Sequence, residues 1–233
     1  MTSKTIERPG FGLITWRLAA KDFWLIRWPL LGYVTLAMLS LILISIESRI
    51  AFHAGLVLMV SALAVVGAHL VFASTLHERT NQTLPFMLSL PISFPQYALS
   101  KLLFTVGTFS LFWLALAASV FAVVHAQEFL SAGMLPYYLI VLGYLAVAFV
   151  LTLAVAMMTE SVAWTIVIMS TGNMSISLVM ITLAGYPGIT EYMADARAVW
   201  NSTAIGLLSL EALLIVFLVS LTIFVQSRKS DFL

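Results

Sequence analysis

Six stretches of this chain are too long, too apolar and too free of charge to be packed inside a water-soluble protein of its size. They cover residues 29–46, 54–76, 102–124, 136–158, 163–184 and 203–226, and charges or Gly and Pro punctuate the gaps. A helix rising about 1.5 Å per residue needs about 20 apolar residues to cross the roughly 30 Å hydrocarbon core of a bilayer. Inside lipid the backbone must satisfy its own hydrogen bonds, which leaves only helices and closed barrels. Barrel strands would read as short alternating segments, and these stretches do not. The sequence therefore predicts an all-α polytopic membrane protein with six transmembrane helices, built as one transmembrane domain over 1–233. Composition agrees: 62% of residues are hydrophobic and 9% charged, against roughly 45–50% and about 25% in soluble domains.

The placement of charge says more than its sum. Lys4, Arg8, Arg17, Lys21, Arg27, Arg79, Lys101, Arg228 and Lys229 fall on the side that holds the N-terminus, and only Arg49 and Arg197 on the other. Short loops rich in Lys and Arg stay in the cytoplasm, so both termini are expected there, in a cell (inner) membrane. The net charge of +1 gives no reason to expect nucleic acid. Residues 1–28 hold no uninterrupted apolar run or small-residue cleavage site, so the first span is expected to act as an uncleaved anchor. Within them, 11–28 mixes Trp16, Trp24 and Trp28 with Arg17, Lys21 and Arg27, the pairing found at the headgroup level. An interfacial helix is expected there, ahead of the first span.

Much chemistry is missing from the sequence. With no cysteine, disulfides, thiolate metal sites and cysteine nucleophiles are excluded. There is no G-x-x-x-x-G-K-[ST] phosphate loop, no H-E-x-x-H pair and no G-x-S-x-G elbow. His53, His69, His77 and His125 show no metal-ligand spacing. Only His69 and Glu211 are ionisable within the spans, each roughly 12 Å from one end of its helix. No catalytic constellation is present, so an enzyme is not expected, nor a cofactor or metal on this chain.

The most specific segment is cytoplasmic 77–101, HERTNQTLPFMLSLPISFPQYALSK. Thr83 is a helix-capping residue type, Pro85 is tolerated in a first turn, and Pro91 ends the helix soon after. About two turns remain, bearing Leu84, Phe86, Met87, Leu88 and Leu90. Such a short exposed apolar knob marks a contact with a protein or a membrane surface.

This segment resembles the type-2 permeases of ATP-binding cassette (ABC) transporters, whose second span is followed by approximately E-R-x-x-G-T-L-x-x-L-L-S-L-P-[IV]-S and then a lysine opening the third span. Glu78, Arg79, Thr83, Leu84, Met87, Leu88, Ser89, Leu90, Pro91, Ile92, Ser93 and Lys101 match without gaps. Gln82 stands where the family has glycine, and Pro85 is foreign to the pattern. The six-span layout and the long outer connection before the last span also fit. The resemblance implies that 77–101 carries a coupling helix, with Glu78, Arg79, Thr83, Leu84, Met87, Leu88, Leu90 and Pro91 transmitting motion from a separate ATPase subunit. It implies two such ATPases holding ATP and Mg²⁺, a second copy or a related permease beside this chain, and export as the direction.

Candidate path residues lie within the spans. The fifth carries Ser170, Thr171, Gly172, Asn173, Ser175 and Ser177 near mid-bilayer; such residues either hydrogen-bond neighbouring helices or form a polar wall for substrate. Ser170, Asn173, Ser177, His69 and Glu211 are the candidates, with Asn173 foremost. An uncompensated carboxylate inside a span costs about 2.5–3.5 kcal/mol on insertion scales, so Glu211 is expected to be protonated, to snorkel outward or to pair, with Arg197 as the candidate partner. The outer stretch 185–202 is too short and polar to span, and the resemblance implies a re-entrant segment of short helices. A haem-export-like permease of cytochrome c maturation, a carrier driven by an ion gradient and a membrane enzyme stand as alternatives.

Overall fold

A computed structural model describes residues 11–76, 94–127 and 130–228. Among them there is no strand, and six helices are long and apolar enough to cross a membrane. The architecture is that of a multi-pass α-helical membrane protein. Helix α1 is Phe11–Ile44, α2 Arg49–Val71, α3 Phe94–Ala126, α4 Leu135–Thr159, α5 Val162–Gly185 and α7 Ser202–Arg228; α6 is a single turn, Pro187–Thr190. The expected spans fall within these helices to within two residues at the ends, except that 54–76 runs five residues past α2. A π-type turn, Phe72–Leu76, prolongs α2. There the Thr75 hydroxyl donates to the Val71 carbonyl at 2.5 Å, and Ser74 accepts from Thr105 of α3 at 2.9 Å.

Local signals set the ends. Pro136 opens α4 in its first turn, where the missing N–H is no loss. The α4 helix closes at Glu160, whose φ of 59° places it in the left-handed region; its N–H still reaches the Ala156 carbonyl at 3.2 Å. Ser161 then caps α5, accepting from the Trp164 N–H at 3.4 Å. Two residues therefore turn the chain from α4 into α5. At the start of α7 the cap is Asn201: its Oδ1 accepts from the Ala204 N–H at 2.9 Å, while its Nδ2 donates to the Gly188 carbonyl at 2.5 Å.

Two sequence expectations are modified. The predicted interfacial helix and first span are not separated by a break, because α1 runs unbroken through Pro29. Its 34 residues extend about 51 Å, well beyond a bilayer core of about 30 Å. The outer segment 185–202 contains the one turn α6 rather than several short helices. The remainder is turn and coil, held by the Gly133 N–H donating to the Asp195 carbonyl at 3.0 Å and by Asn201.

Helix α4 is the centre of the bundle, packed on α7, α5, α2 and α3, while α1 lies against α2 and α3. Of the stretch of α4 that can span, 61% is buried within the protein, against 6% for α5 and for α7; these last two present most of their surface outward. Lipid is as apolar as leucine, so the bundle depends on close packing and interhelical hydrogen bonds rather than on apolar burial. Phe109 of α3 stacks on Phe149 of α4 with centroids 3.8 Å apart. The Trp113 indole N–H donates to the Leu142 carbonyl at 2.8 Å, the Tyr144 hydroxyl to the Gly172 carbonyl at 3.0 Å, and the Gln226 amide to the Met157 carbonyl.

Candidate functional site

The expected coupling residues Glu78, Arg79, Thr83, Leu84, Met87, Leu88, Leu90 and Pro91 lie outside the described residues. What is described is the start of α3, the helix that follows them in the chain. Lys101, seven residues into α3, donates from Nζ to Asp22 Oδ2 of α1 at 2.7 Å, and both side chains are almost wholly buried. Lys21 approaches the other oxygen of Asp22 at 3.4 Å but stands half in the open. Thr15, Ala19, Asp22 and Ile26 recur at helical spacing and are all buried, forming the face of α1 that α3 covers. Trp16, Trp24 and Trp28 point away from it, and the Arg27 guanidinium sits 3.9 Å over the Trp24 ring. One face of this stretch is thus taken by a neighbouring helix, which leaves the tryptophans and basic residues to share the rest of its surface. Asp22 was missed in the sequence, where its signal was an acid on the same helical stripe as Thr15, Ala19 and Ile26.

The ion pair also gives a direction. It joins the N-terminal parts of α1 and α3, so the two helices start at the same end of the molecule. At 34 and 33 residues both are longer than the bilayer core requires, and their first turns run side by side as a two-helix stem joined by the ion pair.

A second feature lies on α5. Ser170, Asn173 and Ser177 are exposed and share one helical face, with Asn173 at the middle of the 24-residue helix. Among the described residues none of the three makes a side-chain hydrogen bond. Thr171 and Ser175 differ: the Thr171 hydroxyl donates to the Val167 carbonyl at 2.8 Å, and Ser175 meets the Tyr144 hydroxyl at 2.5 Å. Ser175 and the Gly172 carbonyl therefore tie α5 to α4, Thr171 bonds back to its own helix, and Ser170, Asn173 and Ser177 look outward. Asn173 borders a shallow cleft with Ala64 and Gly67 of α2 and Ala148 and Thr152 of α4.

His69 and Glu211 do not join this stripe. The His69 ring packs edge-on against Tyr33 of α1, with centroids 5.6 Å apart. Glu211 points from α7 onto Gly143 of α4, away from α5. Its expected partner Arg197 forms no ion pair with it among the described residues. Arg197 is exposed in the outer segment, whereas Glu211 is nine residues into α7, about 14 Å from its start. The described residues contain no group of three or more His, Asp or Glu placed to hold a metal ion. No family model matches the chain, and neither the curated proteins nor the solved structures offer a significant match.

Proposed function

We propose that this chain is the membrane-spanning permease subunit of an ATP-binding cassette transporter, an exporter working as a pair of permeases driven by two separate ATPase subunits. The observation that carries the reading is the outward polar face Ser170, Asn173 and Ser177 on α5. Polar side chains at mid-bilayer with nothing to bond are costly against lipid. A second permease copy, or a related chain, set against α5 would remove that cost and leave the stripe facing a path between the two. The beds for such contacts are ready, since α5 and α7 are the least buried spans.

The stem built by α1 and α3 supports the coupling half of the proposal. In this reading both termini and the stem are cytoplasmic, the membrane is the cell membrane, and the Trp-rich start of α1 lies at the headgroup level. ATP and Mg²⁺ sit on the partner ATPases. Closure of those subunits presses on the coupling segment within 77–93, with Glu78, Arg79, Thr83, Leu84, Met87, Leu88, Leu90 and Pro91 at the contact. Any displacement of the segment reaches the bundle at Lys101, which the Asp22 bond fastens to α1.

Native mass spectrometry of the complex purified from its own membrane in mild detergent tests this. Two permeases with two ATP-binding subunits are expected. Leu88→Glu should release the ATPases and keep the permease pair. In a chain free of cysteine, Asn173→Cys should cross-link the two permeases. Recovery of the chain without an ATP-binding partner, or ATPases retained by Leu88→Glu, would overturn the proposal.

A further inference from the structure

On the side of α4 away from α5, a cavity of about 390 Å³ lies between α3, α4 and α7, open on one side. Phe109, Trp113, Leu139, Phe149 and Leu208 make its walls almost wholly apolar, and Glu211 is the one ionisable group that lines it. The carboxylate is placed there by a close approach. A Cβ on Gly143 would collide with Glu211 Oε2, so only glycine at that position lets the oxygen rest against α4. Oε2 is shielded from solvent and has no hydrogen-bond partner. The Trp113 N–H is already used by the Leu142 carbonyl, so Trp113 offers the cavity its ring and no donor. Ser110 is the only other lining residue with a polar side chain.

The walls thus supply one carboxyl group without a partner, which an arriving cation would hold in its ionised form, several aromatic rings and no counter-ion. A hard divalent cation would need about six oxygen ligands, and one carboxylate beside one hydroxyl falls far short. An anion would find no counter-charge, and a sugar or peptide would leave its polar groups unbonded on apolar walls. A lipophilic monovalent cation satisfies every wall at once. Its charge meets Glu211, its body fills the apolar space, and the rings of Phe109, Trp113 and Phe149 stand in the wall, surroundings that favour a cation over an anion.

We propose that the α3–α4–α7 cavity is a binding site for a lipophilic monovalent cation, an amphiphilic amine or onium ion, with Glu211 as its counter-charge. Such molecules partition into the bilayer and can enter from its hydrocarbon side. The site is distinct from the α5 stripe, and binding there requires neither ATP nor a partner subunit. Its failure would leave the permease reading standing, and the converse also holds.

The test is equilibrium binding of radiolabelled tetraphenylphosphonium to the purified chain in phosphatidylcholine nanodiscs. Saturable binding is expected, weakened about tenfold or more by the near-isosteric Glu211→Gln. Gly143→Ala, which pushes the carboxylate off α4, should weaken it as well. On the unaltered chain, neutral triphenylphosphine oxide should compete far less well than a second onium ion. Absence of saturable binding, an unchanged affinity in Glu211→Gln, or equal competition by the neutral compound would overturn the proposal.

Discussion

Replacing Lys101 by Ala should destabilise the bundle more than any other single charge removal at the stem. The Nζ–Oδ2 distance is 2.7 Å, and the two side chains are 3% and 8% exposed. Removing one partner of a buried pair leaves the other charge uncompensated, which costs about 3–5 kcal/mol. Lys21 is the obvious substitute, at 3.4 Å from Asp22 and 45% exposed. An exposed pair of that kind contributes about 0–1 kcal/mol, so Lys21 cannot offset the loss. At roughly 2–4 °C per kcal/mol for a chain of this length, the unfolding midpoint should fall by roughly 6–20 °C. Thermal unfolding of the purified protein in one fixed detergent reads this directly. The double replacement Asp22→Leu with Lys101→Met removes both charges together and should recover most of the lost stability, since buried pairs are often matched by well-packed apolar residues. An unchanged midpoint in Lys101→Ala, or a double variant less stable than the single one, would refute the reasoning.

Two further outcomes follow from the packing. Phe149→Ala removes a buried ring stacked at 3.8 Å on Phe109 and should cost about 3–5 kcal/mol, whereas Leu213→Ala, at a position 67% exposed on α7, should change stability by no more than about 0.5 kcal/mol; equal effects on the unfolding midpoint would refute α4 as the centre of the bundle. Asn201→Ala deletes the α7 cap and the tie to Gly188 together, a loss of about 1–2 kcal/mol, and should appear as faster amide exchange confined to the first turn of α7 and to α6, an unchanged exchange pattern being the contrary result.

The candidate site was legible only in part. The spacing of Ser170, Asn173 and Ser177 already places them on one face, because a helix repeats every 3.6 residues or so. That this face looks outward, while Ser175 looks to Tyr144, could not be read from spacing, since α5 is apolar on its other faces too. Glu211 was visible as an isolated acid, but its expected partner was wrong. Nearness in sequence favoured Arg197, whereas the helix rise puts about 14 Å between Glu211 and the start of α7. Asp22 went unnoticed because its partner is 79 residues away.

What the sequence determined by itself is the number of spanning helices and their ends. In lipid the backbone has no other donor or acceptor to turn to, so an apolar run of sufficient length must be a helix whatever its neighbours are. Which helix stands at the centre was decided only by the tertiary structure. All six spans are apolar nearly all round, and lipid and protein interior reward such surfaces equally, so no face announces its partner. The choice falls to short-range fit: Gly143 admitting the Glu211 carboxylate, Phe149 stacking on Phe109, Trp113 and Gln226 finding carbonyls on α4. These contacts join residues far apart in the chain, and their geometry exists only once the helices have met.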